Sequence, residues 1–194
     1  MKKNKTSKAK IINNTKWANK NLDRVRIYKQ KYKNKIKESN RSLVQQIKES
    51  KPCSVCGETR FYCLDFHHRN SDTKKDTVCN LIRHGYSTEI ILEEIQKCDV
   101  ICSNCHRKEH TNTYKYLTKK ARYVLELKQK SSCSKCGLST PECLDFHHIG
   151  DNKIDGIGAM LRNKNVSLDD IKNEIEKCII VCSNCHREIH HQEK

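Results

Sequence analysis

The chain has 194 residues, 35% of them hydrophobic, with a single Trp and three Phe, and a formal net charge of +16. A chain of this length holds one ordinary domain or two very small ones, and so few large apolar side chains favour metal-stapled units over an extensive core. No apolar leader lies near Met1 and no run approaches the length of a membrane span, which argues against secretion and against membrane insertion. The 13 cysteines are an odd number and come as CxxC pairs ahead of histidines. That usage predicts reduced, metal-bound thiolates and not a disulfide framework, in the cytoplasm of a prokaryote or of a virus-infected host cell.

Residues 1–50 hold 16 Lys/Arg against Asp23, Glu38 and Glu49, a net of +13, so the other 144 residues carry only +3. Charge concentrated in this way is a footprint for a polyanion, with DNA the expected partner. No Gly or Pro interrupts the chain before Pro52. Val25, Tyr28, Tyr32 and Ile36 recur at helical spacing, predicting a basic helix over about 20–38, and Val44 and Ile47 predict a second over about 41–49. A CxxC knuckle follows, with Gly57 in its turn, and then Cys63-Leu-Asp-Phe-His alternates as a short strand. The polar stretch after it reads as a loop. Ser87-Thr-Glu opens a helix with Ile91, Ile95 and Cys98 on its buried face, Val100-Ile101 enters a second CxxC, and a closing helix carries His106 and His110.

The same block then recurs. Residues 53–110 and 133–190 align without a gap at an offset of 80, and 24 of 58 positions are identical. Val124, Leu127 and Lys128 repeat Val44, Ile47 and Lys48, so each copy begins with a helix that leads into its first knuckle. Gly137, Leu144-Asp-Phe-His-His148 and a second apolar run at Ile179-Val181 take their corresponding places. Ser167-Leu-Asp-Asp170 is the stronger helix start, a serine cap with acids in the first turn. The identities fall mainly on thiols, imidazoles and a few apolar positions, which indicates one metal-binding unit used twice.

Cys53, Cys56, Cys102 and Cys105, and likewise Cys133, Cys136, Cys182 and Cys185, form CxxC…CxxC sets, the pattern of a closed four-thiolate zinc site. The rival arrangement substitutes Cys63 or Cys98 (Cys143 or Cys178 in the second copy) or a histidine. Cys98 and Cys178 follow apolar helical spacing and suit small buried hydrophobes, and Cys79 has no counterpart. With the thiolates occupied, His67, His106 and His110, and His147, His186 and His190, are left as three-imidazole sets whose open positions suit a hydrolytic metal. His68 and His148, outside those sets, are imidazoles able to take a proton from water. Asp65 and Asp145 are placed to orient a histidine through its ring N–H. The competing assignment, a two-Cys two-His finger, leaves a CxxC and a His pair without a task in both copies.

The order CxxC, DFHH, CSNCH, xxxH resembles the HNH endonuclease family in its four-Cys zinc-clamped form, over about 41–112 and 121–194. The resemblance implies an α+β chain of two tandem ββα-metal (His-Me finger) units. The expected organisation is a basic extension over 1–40, unit one over 41–112, a linker over 113–120 and unit two over 121–194. It implies a hydrolase that cuts DNA phosphodiester bonds, with His68 and His148 as general bases and Asp65 and Asp145 supporting the His pairs. His67, His106 and His110, with His147, His186 and His190, would hold one catalytic Mg²⁺, Mn²⁺ or Zn²⁺ per unit, beside one structural Zn²⁺ per unit. A monomer with two linked active units is expected, and the basic lead-in is similar to segments ahead of such modules in phage-type members, which suggests a phage or homing endonuclease. A non-catalytic tandem zinc module that binds DNA or RNA is the alternative. One departure is plain: the family's middle Asn, which braces the loop, is replaced by Lys97 and Lys177. Arg107 and Arg187 are candidates for holding a phosphate, or are solvated surface.

Overall fold

The computed structural model describes residues 15–110 and 118–193. The first 14 residues of the expected extension and most of the expected linker lie outside them. The chain is mixed α and β, with two separate two-stranded antiparallel sheets. Contacts divide it into two compact units, one of Met1–Gln46 with Asn70–Lys97 and one of Ile47–Arg69 with Cys98–Lys194. The second unit therefore contains the thiol and imidazole positions of both copies of the repeat.

Helix α1 spans Leu22–Glu49 without a break. The sequence pattern predicts two helices separated near Ser39-Asn40. Asn40 is fully buried and commits its side chain elsewhere, donating to the Tyr86 carbonyl (3.1 Å) and accepting from the Thr88 hydroxyl (2.8 Å). An asparagine so engaged does not compete for the helix backbone. The helix stops two residues short of Lys51, which precedes Pro52 and is sterically turned away from helical geometry. Of the expected apolar stripe, Tyr28 and Tyr32 are exposed.

The polar stretches expected as loops contain short helices, α2 (Val78–His84) in the first copy. Thr77 caps α2 through the Asn80 N–H, Gly85 closes it in the left-handed region, and Val78, Leu81 and Ile82 are buried. Then come α3 (Thr88–Ile95), β2 (Cys98–Cys102) and α4 (Ser103–Glu109), after β1 at Leu64–His68. The second copy runs α5 (Lys119–Gln129), β3 (Leu144–His148), α6 (Ile157–Arg162), α7 (Leu168–Ile175), β4 (Cys178–Cys182) and α8 (Ser183–Gln192). Ser167 and Asp170 make the full reciprocal capping box that their spacing predicts.

The two sheets share one register. Leu64 pairs with Cys102 and His68 with Cys98, while Leu144 pairs with Cys182 and His148 with Cys178. Leu64 and Leu144 are fully buried, each contributing about 2 kcal/mol. Leu64 clusters with Cys53, Val100, Ile101, Cys102 and Cys105, with Phe66 against them. Half of the six buried members are thiols, and all three belong to a group that could hold a metal ion. Lys48 and Lys128 lie 5.5 and 5.6 Å over the Phe66 and Phe146 rings, the equivalence that the repeat predicted for the helices ahead of each knuckle.

Within the second unit the two copies meet about a pseudo-twofold axis. The Ser103 and Ser183 hydroxyls, 80 residues apart, lie 2.7 Å from each other and are buried. The Asn104 N–H donates to the Asn184 side chain (3.1 Å), and the Asn184 N–H to that of Asn104 (3.3 Å). A residue that meets its own copy is the mark of an isologous interface, here contained in one chain.

Candidate metal centres

Gly57 and Gly137 turn the first knuckle of each copy at φ +76° and +75°, in the left-handed region that glycine enters without strain. The second knuckle is the start of a helix: Cys102 and Cys182 are the N-caps of α4 and α8 and accept from the Cys105 and Cys185 N–H groups. Four sulfurs converge in each copy, Cys53, Cys56, Cys102 and Cys105, and Cys133, Cys136, Cys182 and Cys185. The Cys56–Cys102 and Cys136–Cys182 sulfurs stand 3.6 and 3.7 Å apart. A zinc ion bound at about 2.3 Å by each sulfur of a tetrahedron sets edges of about 3.8 Å. The spacing fits structural zinc and is far too long for a disulfide.

The electrostatics agree. Burial raises the Cys53 and Cys133 thiols, yet backbone N–H groups of the knuckles outweigh it and bring them to about 7 and about 6. Burial and the neighbouring sulfurs push Cys105 and Cys185 far up. Sulfurs this close can all ionise only beside a cation, which makes each group able to hold one. Cys63 and Cys143 lie outside both groups and donate to the Asn184 and Asn104 carbonyls of the opposite copy (3.4 and 3.3 Å). Cys178 likewise donates to the Glu174 carbonyl (3.4 Å), and Cys98 is buried.

The imidazoles form two further groups, His67 with His106 and His110, and His147 with His186 and His190, their ligand atoms all within 4.8 Å of one another. Strand alternation accounts for the split of each His-His doublet: successive side chains point to opposite faces of the sheet. His147 lies 5.1 Å, ring to ring, from both His186 and His190 on α8. His148, its neighbour, places Nε2 2.8 Å from Glu174 on α7. Nε2 atoms of His186 and His190 are 3.1 Å apart, inside the range of about 3.0 to 3.4 Å between cis ligands at about 2.1 Å from one ion. Burial, then the charges of the other two rings, lowers His67 and His147 below the ordinary imidazole value, a shift that favours the neutral form. In the second copy His147, His148, His186, His190, Lys128 and Lys153 line one cleft of about 400 Å³.

Asp65 and Asp145 approach the helix histidines. Asp65 Oδ2 is 3.4 Å from His106 Nδ1, and Asp145 Oδ2 is 3.5 Å from His186 Nδ1. Burial raises both carboxyls, but the histidine and a nearby arginine outweigh it and hold each at about 2. That arginine comes from the other copy. Arg187 donates to Asp65 Oδ1 (3.0 Å) and Oδ2 (2.8 Å), and Arg107 to Asp145 Oδ1 and Oδ2 (both 2.8 Å). Both guanidiniums are partly exposed, and each commits one fork to a bidentate carboxylate.

Glu174 is the site residue that sequence reasoning passed over. It is fully buried and accepts from His148 Nε2 and the Ile154 N–H (2.8 Å each) and from Lys177 Nζ (2.7 Å). Burial raises its carboxyl, yet Lys177, Ile154 and His148 outweigh that and hold it at about 2. Glu94 takes the corresponding position, accepting from the Lys75 N–H (2.8 Å) and Lys97 Nζ (2.7 Å). The two lysines also reach loop carbonyls, Lys97 that of Thr73 and Lys177 that of Asn152 (3.1 Å each). The signal existed, since Glu94 and Glu174 are among the 24 identities. It was obscured because an acid on an amphipathic helix ordinarily faces water.

No protein-family model, curated protein or solved structure matches this chain. Among the described residues, no helix is long and apolar enough to cross a membrane.

Proposed function

We propose that the protein is a metal-dependent endonuclease of the HNH type that hydrolyses DNA phosphodiester bonds at two sites, one per copy of the repeat. One observation carries the reading: three converging imidazoles share an open cleft with a fourth that a buried carboxylate holds from behind. A divalent ion held by His147, His186 and His190, or by His67, His106 and His110, would polarise the scissile phosphate and offset charge on the leaving oxygen. His148, anchored through Nε2 to Glu174, keeps Nδ1 as an acceptor for the proton of an attacking water. The water oxygen bonds to phosphorus as its proton passes to His148, the P–O3′ bond breaks, and the leaving O3′ takes a proton from solvent to become the 3′-hydroxyl. His68 has the same part in the first copy.

Further support comes from the replacement of the family's Asn. The Lys97–Glu94 and Lys177–Glu174 pairs tie to the loop backbone that the Asn would brace. The basic N-terminal region, with Tyr28 and Tyr32 exposed on α1, supplies sequence-independent affinity for the phosphate backbone. The test is nicking of supercoiled plasmid with Mg²⁺ or Mn²⁺ by the wild type, by His68→Ala, by His148→Ala and by the double variant. Each single variant should retain cleavage from the other site and the double should lose it. Plasmid left intact by the wild type with every metal, together with a gel shift, would establish the non-catalytic zinc module instead.

A further inference from the structure

We infer that the two imidazole sites are completed in trans, each metal site depending on an arginine supplied by the opposite copy of the repeat. Arg187 directly follows His186, a ligand of the second site, but its guanidinium grips Asp65, the carboxylate behind His106 of the first. Arg107 follows His106 and grips Asp145, behind His186 of the second. The pairs are reciprocal and sit on the interface already marked by Ser103–Ser183 and by Asn104–Asn184.

The physical consequence concerns orientation. A histidine contributes one nitrogen to a metal, and the partner on its other nitrogen fixes both tautomer and ring angle. His106 and His186 are the ligands whose Nδ1 faces Asp65 and Asp145, which directs Nε2 toward the ion. The contacts are long, 3.4 and 3.5 Å, so the position of each carboxylate decides whether it holds the ring. A planar fork with two donors fixes the carboxylate plane in a way that one ammonium cannot. Arg187 is itself tethered, donating also to the Cys63 carbonyl at 3.3 Å, and Arg107 reaches the Glu142 carbonyl at 3.5 Å. Arg107 and Arg187 are thus positioning residues, and the duplication forms an intramolecular dimer whose halves are incomplete alone. Asp65 and Asp145, each shared between a ligand and an arginine of the other copy, are the links.

The inference rests on the imidazole groups binding a divalent ion, and one experiment separates the two ideas. The full chain is first loaded with two zinc ions per molecule, and Co²⁺ is then titrated while its visible d–d absorption is recorded. Cobalt uptake beyond the thiolate sites by the wild type supports the metal reading, and no such uptake overturns it. With His147, His186 and His190 changed to Ala, only the first site remains. In that background Arg187→Ala should weaken Co²⁺ binding by roughly 10- to 100-fold, and at least fivefold more than Arg107→Ala does. The mirrored background should reverse the order. Zinc content and circular dichroism check folding, and Arg187→Lys should recover part of the affinity. Should Arg187→Ala lose its zinc, Asp65→Asn, which keeps shape, must produce the same first-site loss. Combining Asp65→Asn with Arg187→Lys should then add little. Cobalt uptake with equal effects of the two arginines, a larger effect of the arginine in the same copy, or additive losses would overturn the inference and leave the metal reading intact.

Discussion

Replacing Glu174 by Ala removes a carboxylate that is 0% exposed and leaves three donors behind it: His148, 10% exposed, Lys177, 23% exposed, and the Ile154 N–H. Losing one partner of a buried ion pair costs about 3 to 5 kcal/mol. Lys177 can turn partly to water, which puts the expected loss near the lower end, about 3 kcal/mol. With a urea dependence of about 2 kcal/mol per molar, the unfolding midpoint should fall by about 1.5 M. The measurement is urea unfolding of zinc-loaded protein followed by circular dichroism. Glu174→Gln keeps the volume but turns an amide N–H toward one of the donors, so it should lose about 2 kcal/mol. A cycle with Lys177→Met should give a coupling of at least about 1 kcal/mol. A Glu174→Ala loss under about 1 kcal/mol, or strict additivity with Lys177→Met, would refute the claim that this carboxylate organises the loop and His148.

The same group predicts a pH dependence. Its carboxyl is held at about 2, below the ordinary glutamate value of 4.5, so its contribution is present above that value and lost as pH falls through about 2. Acid unfolding of the wild type should steepen between those limits, and Glu174→Gln should lack that component. An unchanged acid limb in the variant would count against it. Gly57→Ala and Gly137→Ala meet nothing within 4 Å, so their cost, about 1 kcal/mol each, comes from the positive φ alone. Melting of the two variants at fixed zinc concentration checks this, and an unchanged midpoint would contradict it. If zinc fills the four-sulfur groups, chelating it should unfold β1–β2 and β3–β4, whose buried clusters are half or more cysteine. Slow amide exchange persisting at Val100 and Ile180 in the stripped protein would show otherwise. Removal of residues 1–32, which leaves Asn40 in place, should weaken DNA binding and flatten its salt dependence. Equal affinity at roughly 50 to 200 mM salt would exclude that role.

Spacing was sufficient for each CxxC and each His-x-x-x-His pair, while the pairing of β1 with β2 and of β3 with β4 is what brings the members of each group together. CxxC and His-x-x-x-His are local geometry, and an 80-residue repeat supplies the test that chance matches fail. The β1 and β3 strands and the Ser167 cap were legible for the same reason, each being decided within a few neighbouring residues. Where the reading failed, the deciding contact was distant. The helix break near Asn40 disappeared because Tyr86 and Thr88 occupy its side chain, and the divergent loops formed helices because Leu81 and Met160 found something to bury against.

Arg187 and Asp65 are 122 residues apart, and no periodicity in the chain joins them. The amino-acid sequence by itself determined which atoms can ligate metal, since donor chemistry and short spacing are properties of the residues. Only the tertiary structure decided which carboxylate stands behind which ring, and that the two copies brace each other. Those pairings depend on how the surfaces of the two copies fit together, and a surface contact leaves no repeat length to read.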